Sequence, residues 1–333
     1  MRISIIMGLA ALGLPVATAA QAPARAQPSI DRNVLHVQVI LDHLGFGPGV
    51  LDGRGGQSLV AALKGFQESR GLPKTGKPDT ATLRALYPYR ASRPTVTVAL
   101  TDDMIAGPFV DPLPKDYSLQ AKLPTIGYRN KMEKLAEMFH TTPAVLLALN
   151  SPSTSLGKGS KVMFPNALPQ SRDYDASLRP DWRQTLGSLN VDATQPKADH
   201  IVVDKSDGVL RVLDAQDKLI AQFSATMGSS HDPLPLGTWK IYGADYNPKF
   251  RFNPALFWDA KKDAKGALLP PGPNGPVGVV WMDLSKEHYG IHGTPNPETI
   301  GRAESHGCIR LTNWDAARLS LMIHPGIKAV FQA

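Results

Sequence analysis

The chain has 333 residues, 42% of them hydrophobic, with 29 glycines, 29 prolines, one cysteine and a formal net charge of +7. That length is enough for two or three domains with real cores, and the glycine and proline content points to turns and linkers rather than one large helical body. A single cysteine excludes an internal disulfide framework, and the positive charge suits nucleic acid, anionic lipid or an acidic polymer, although the lysines and arginines are scattered and no nucleic-acid motif stands out.

Met1-Arg2, the apolar run Ile3 to Leu14 and the small residues Ala17-Thr18-Ala19-Ala20 have the layout of a secretory signal peptide over 1–26. Cleavage is expected after Ala19, Ala20 or Ala26. The run is too short to span a bilayer comfortably, and no other segment is long and apolar enough. The mature chain is therefore expected to be exported, without a transmembrane segment.

Residues 33–88 read as three helices. Val34, Val37, Ile40, Leu41 and Leu44 recur at helical spacing, Leu59, Leu63 and Phe66 mark a second helix opened by Ser58 or its neighbours, and Asp79 is the expected N-cap of a third through Leu83 and Leu86. Gln38, Leu44-Gly45-Phe46, Leu51-Asp52-Gly53, Phe66-Gln67, Gly71-Leu72 and Thr75-Gly76 resemble the peptidoglycan-binding-like domain.

A polar stretch, 89–124, reads as a linker. In 125–167, Glu133 to His140 is an amphipathic helix, Thr142-Pro143 opens a second through Leu149, and Val162-Met163-Phe164-Pro165 is a strand. The order resembles a lysin motif (LysM), a βααβ glycan binder, although Asn130-Lys131-Met132 stands where the usual Gly-Asp-Thr entry would be. Residues 168–197 read as a second linker.

From Ala198 to Ala333 the pattern changes to strands: Ile201 to Val203, Val209 to Leu213, Leu219 to Thr226, Thr238 to Tyr242, Val277 to Leu284 and His288 to His292, with one helix at Trp314 to Ile323. Ala244 to Pro276 is an irregular, aromatic-rich stretch expected to cover a site, its aromatics serving also as a satellite core.

The chemistry-bearing residues are Ile291-His292-Gly293-Thr294-Pro295 and Ser305-His306-Gly307-Cys308-Ile309-Arg310-Leu311. A thiol attacks well only as thiolate, so it needs a base or a positive charge nearby. His306 and His292 both qualify, and spacing does not choose between them. Together with Pro235-Leu236-Gly237-Thr238, Asn274 to Gly278 and Tyr289 to Thr294, these motifs resemble the L,D-transpeptidase catalytic domain. That resemblance implies Cys308 as nucleophile, His292 as its general base and the Gly293 carbonyl as the group orienting His292. It implies oxyanion donors at the Gly307 and Cys308 amides, support from Ser305 and His306, and substrate-side roles for Arg310, Tyr289 and Trp281. Arg310 is placed to pair with a substrate carboxylate or to hold the nucleophile loop, and a structural ion pair is an equal reading.

The expected architecture is thus multidomain α+β: a small three-helix peptidoglycan-binding-like domain, a LysM-like unit and a mostly-β L,D-transpeptidase catalytic domain. The implied partners are peptidoglycan stem peptides and glycan in the periplasm or cell wall, with a second stem, a wall-anchored protein or water as acceptor. No cofactor, metal or nucleic acid is called for. The rivals are a zinc wall peptidase using His288, His292 and His306, and a non-catalytic wall-binding protein.

Overall fold

The computed structural model describes residues 29–333, so the expected signal peptide lies outside the described residues. Among the described residues no helix is long and apolar enough to cross a membrane.

Helix α1 (Arg32–His43) starts where the Asp31 carboxylate accepts from the amides of Asn33 and Val34, at 2.8 and 3.2 Å. Strand β1 (Phe46–Gly47), helix α2 (Gln57–Ser69) and helix α3 (Thr80–Leu86) follow. Asp79 caps α3 by accepting from the Thr82 amide at 2.9 Å, whereas α2 starts at Gly56 without a side-chain cap and Ser58 falls inside its first turn. Leu41, Phe46, Leu63 and Phe66 form the core of this module. Two residues behind the peptidoglycan-binding resemblance are buried scaffold. Gln38 holds the Asp52-Gly53 turn by accepting from the amides of both residues, and Gln67 accepts from the Gly76 amide and donates to the Thr75 and Thr82 hydroxyls.

The middle module comprises β2 (Thr95–Ala99), α4 (Asp102–Ile105), α5 (Tyr117–Gln120), α6 (Lys131–Met138), α7 (Pro143–Leu149) and β3 (Lys161–Pro165). Strand β2 pairs antiparallel with β3, from Thr95 opposite Pro165 to Ala99 opposite Lys161. The stretch 89–124 therefore supplies a strand and two short helices where a linker was expected. Asn130, in place of the usual entry, caps α6 by accepting from the Glu133 amide at 3.0 Å. Phe139 and Phe164 stack at 3.9 Å inside a core with Leu135 and Leu146.

Residues 168–197 are likewise more than a linker. Helix α8 (Pro180–Ser188), with Pro180 in its first turn, buries Trp182 and Leu186, and Leu189 and Val191 continue into the core of the C-terminal module. That module holds β4 (His200–Asp204), β5 (Val209–Leu213), β6 (Leu219–Ser224), β7 (Thr226–Met227), β8 (Gly237–Tyr246), β9 (Phe250–Phe252), β10 (Ala267–Leu269), β11 (Val280–Leu284), β12 (Gly290–His292), β13 (Ile309–Arg310), α9 (Asn313–Met322) and β14 (Lys328–Gln332). The strand order is β1-β6-β5-β4-β14-β8-β11-β12-β13-β7. Strand β8 joins the two halves: its first residues pair with β14 and its last with β11. The stretch expected to be irregular contains a hairpin, β9 with β10.

The modules interlock. Strand β1 adds to the sheet parallel to β6, Phe46 opposite Gln222 and Gly47 opposite Phe223. Gln222 donates to the Ala61 carbonyl at 2.7 Å, and Arg211 pairs with Glu68. Asp42 of α1, His140 of the middle module and Arg318 of α9 meet in one buried cluster. His140 Nδ1 lies 3.0 Å from Asp42 Oδ2, its Nε2 lies 2.8 Å from the Leu189 carbonyl, and its ring stacks on Trp314 at 5.0 Å.

Candidate active site

Strands β12 and β13 run parallel, with Ile291 opposite Ile309 and His292 opposite Arg310. Both isoleucines are fully buried in the core. Side chains alternate along a strand, so His292 and Arg310 project from the opposite face, the side on which Cys308 leads into β13.

The turn before β13 is tightly made. Ser305 Oγ accepts from the Gly228 amide at 2.6 Å and donates to the Cys308 carbonyl at 2.7 Å. Gly307 has φ +92, and a Cβ there would fall 2.5 Å from the Tyr289 ring, so the position requires glycine on two counts. Among the described residues, neither the Gly307 nor the Cys308 amide is spent on a hydrogen bond. Two adjacent free N–H groups beside a thiol form an anion-binding corner.

His292 is 4% exposed. Its Nδ1 lies 2.7 Å from the Gly293 carbonyl, which can only accept, so Nδ1 carries the proton and Nε2 keeps its lone pair. Trp281 stacks on the ring at 5.4 Å. Burial, with Arg310 adding to it against the Gly293 hydrogen bond, pushes the imidazole pKa down from 6.5 to about 4. The unfolded chain thus takes up a proton here before the folded one does. Below about 6.5, and progressively toward about 4, this group lowers stability as the pH falls.

Burial pushes the Cys308 thiol up, opposed by the Gly290 amide and by Arg310. The thiol points at the His288 carbonyl, 3.8 Å away, and among the described residues no hydrogen bond joins it to His292. The resting site is therefore a neutral thiol beside a neutral imidazole, not a preformed ion pair. Alkylation of Cys308 by iodoacetamide is expected to be slow at neutral pH and to climb through and beyond about pH 8.5, the usual thiol value. A fast, flat rate over about pH 6 to 8 would mean a standing thiolate and overturn this assignment.

The other expected residues divide between these two clusters. Tyr289 closes on Gly307, and Trp281 belongs with His292 and Gly293. Arg310 donates to the Glu304 carbonyl at 3.3 Å, within the nucleophile loop. His306 Nε2 lies 2.9 Å from Asp259, and its ring meets Phe257 at 5.1 Å, so the segment between β9 and β10 rests on the nucleophile turn. His288 lies beside Glu287 at 3.5 Å. Among the described residues no three His, Cys, Asp or Glu side chains are grouped as metal ligands would be.

Sequence reading missed Asp259, Tyr117 and Asn313. Tyr117, from α5, packs edge-on against Phe252 at 4.7 Å, bringing the middle module to the covering hairpin. Asn313 follows Thr312, which caps α9 by accepting from the Asp315 amide at 3.1 Å. The Thr-x-x-Asp pattern of a capping box was the available signal for it.

Residues 198–331 match the family model described as the L,D-transpeptidase catalytic domain, and residues 31–86 match a peptidoglycan binding domain. A Bacillus licheniformis protein named as the L,D-transpeptidase YkuD is 52% identical over 58 residues, 17% of this chain and 35% of that protein. The Bacillus subtilis protein named YqjB is 27% identical over 140 residues, 40% of this chain and 72% of its own length. The alignment thus spans about a third of the first of these relatives. A solved L,D-transpeptidase from Mycobacterium smegmatis aligns at 23% identity over 40% of this chain and 58% of its own, with a TM-score of 0.33.

Proposed function

We propose, from an L,D-transpeptidase catalytic domain set behind a peptidoglycan-binding domain, that this chain is a peptidoglycan L,D-transpeptidase with Cys308 as its nucleophile. The observation that carries the proposal is the pairing of β12 with β13. It sets an imidazole with a fixed tautomer next to a braced thiol turn with two free amides.

In this reading the thiol leaves the His288 carbonyl and turns to His292. Nε2 takes its proton as sulfur attacks the carbonyl of the third stem residue. Because both groups rest neutral, proton transfer accompanies attack rather than preceding it. The Gly307 and Cys308 amides hold the oxyanion. The imidazolium then gives its proton to the amine of the departing D-Ala, leaving a thioester. An amine of a second stem resolves the thioester to a 3→3 cross-link. A protein amine would give an anchored protein, and water a shortened stem.

The test is incubation of the purified chain with disaccharide-tetrapeptide followed by mass spectrometry. A cross-linked dimer with released D-Ala is the expected product. Released D-Ala without dimer assigns a carboxypeptidase instead, and no released D-Ala overturns the acyl-transfer reading. A carbapenem is expected to add its full mass at Cys308, and an unchanged intact mass would count against the nucleophile assignment.

Export to the periplasm, through the leader at 1–26, belongs to the same proposal. So does a LysM-like role for the middle module, supported by the consecutive helices α6 and α7 leading into β3, which pairs with β2. Retention of the chain on purified glycan strands, and its loss on deletion of residues 89–167, would test that role.

A further inference from the structure

Glu137 lies near the end of α6, in the middle module, and is only 7% exposed. Its carboxylate reaches across the module boundary. Oε1 accepts from Asn313 Nδ2 at 2.7 Å, and the Tyr128 hydroxyl lies beside the same carboxylate. The Asn313 amide cannot be turned around. Its Oδ1 accepts from the Val279 amide at 3.2 Å, while Nδ2 also donates to the Pro273 carbonyl at 3.1 Å.

That amide is a wedge between two glycines. A Cβ on Gly278 would fall 1.9 Å from Asn313 Oδ1, and one on Gly293 would fall 2.1 Å from it. Gly293 is the residue whose carbonyl holds His292 Nδ1. Its own backbone tie is weak, since its amide reaches the Val280 carbonyl only at 3.4 Å, beyond the usual range. Contact with Asn313 therefore does much of the work of fixing the Gly293 peptide.

We infer that Glu137 is a positioning residue for His292, acting through Asn313 on the Gly293 peptide, so that a side chain of the middle module sets the base of the C-terminal site. Without the carboxylate, Asn313 Nδ2 keeps only Pro273, the amide is free to shift, and the carbonyl that orients the imidazole shifts with it. The titratable groups facing Glu137 are Glu133, itself paired with Arg129, His140 and Tyr128; Asn313 supplies its hydrogen bond. Its carboxyl is pushed by burial up to about 7, against the opposing effects of Tyr128 and Asn313. A neutral glutamine at this position keeps an oxygen for Asn313.

The effect on turnover rests on the proposed transpeptidase reading; the effect on His292 does not. In the full chain, Glu137→Leu is expected to change the His292 ring-nitrogen NMR shifts and titration and to lower kcat about 10-fold with KM within about twofold. Glu137→Gln should restore both. Tyr128→Phe, which removes the hydroxyl beside the carboxylate and leaves its packing, should move both in the same direction by a smaller amount, and it decides the matter if the leucine variant does not fold. Wild-type His292 shifts in folded Glu137→Leu, or in Tyr128→Phe if only that variant folds, would overturn the inference. So would a loss confined to KM. A chain with no transpeptidase activity at all would sink the functional reading, and the His292 spectra would still judge this one.

Discussion

Cys308→Ala is expected to lower acyl transfer by about 10⁴-fold or more, with no thioester detectable by intact mass. The alanine keeps the Gly307 turn and both free amides, so oxyanion binding survives and only the attacking atom is lost. Cys308 is partly exposed and lies outside the main core, so the melting temperature should barely move. His292→Ala should fall within the range of a lost general base, about 10²- to 10⁴-fold. Here the loss should lie toward the upper end, because burial holds the resting thiol neutral and, among the described residues, no side chain is hydrogen-bonded to it. Cross-linking that survives Cys308→Ala would remove the central assignment.

Asp42→Ala is expected to destabilise the chain by about 3–5 kcal/mol, read by chemical denaturation. Asp42 is 1% exposed, as is His140, and Arg318 is 4% exposed. The two His140 nitrogens face the Asp42 carboxylate and the Leu189 carbonyl. Arg318 Nη1 donates to the Asp42 carbonyl at 2.8 Å, and its Nη2 lies 3.6 Å from the carboxylate. Removing the carboxylate leaves the buried Arg318 guanidinium without its counter-charge and His140 Nδ1 without its partner. Burial would raise the Asp42 pKa, but His140 and Arg318 outweigh it and hold the group well below the ordinary 3.8. A depressed carboxylate contributes its stability above its unfolded value and loses it as the pH falls further. This contribution should persist at neutral and mildly acidic pH and disappear only below about 3.8. A loss under about 1 kcal/mol would mean that the cluster is no stronger than a surface ion pair.

What the chain discloses locally, it discloses well. Asp79 and Thr142 mark helix starts by their own chemistry, and both cap in the structure. The Ser305-to-Leu311 motif is legible because its parts are neighbours. Two elements were passed over although their signals are present. Thr95-Val96-Thr97-Val98 alternates as a strand should, and Trp182 and Leu186 are spaced as one helix face, but each sits in a polar, proline-containing stretch that reads as linker. The module contacts had no such signal. Asp42 and His140 are 98 positions apart, and Glu137 and Asn313 are 176 apart. A buried pair at that separation leaves no periodicity, and each partner looks like an ordinary surface charge or amide until the fold brings them together.

The pairing of β1 with β6 has an evolutionary consequence. A module joined by a tether alone can be exchanged by recombination at the tether, and its neighbour does not notice. Here the first module lends a strand to the sheet of the last, and Asp42 and Glu137 lend carboxylates across the same boundaries. A crossover that imported a foreign first module would bare the edge of β6 and strand the partners of Asp42 in one step. Residues 31–333 should therefore be inherited as one block, and variation should accumulate on exposed faces rather than in the order of the modules.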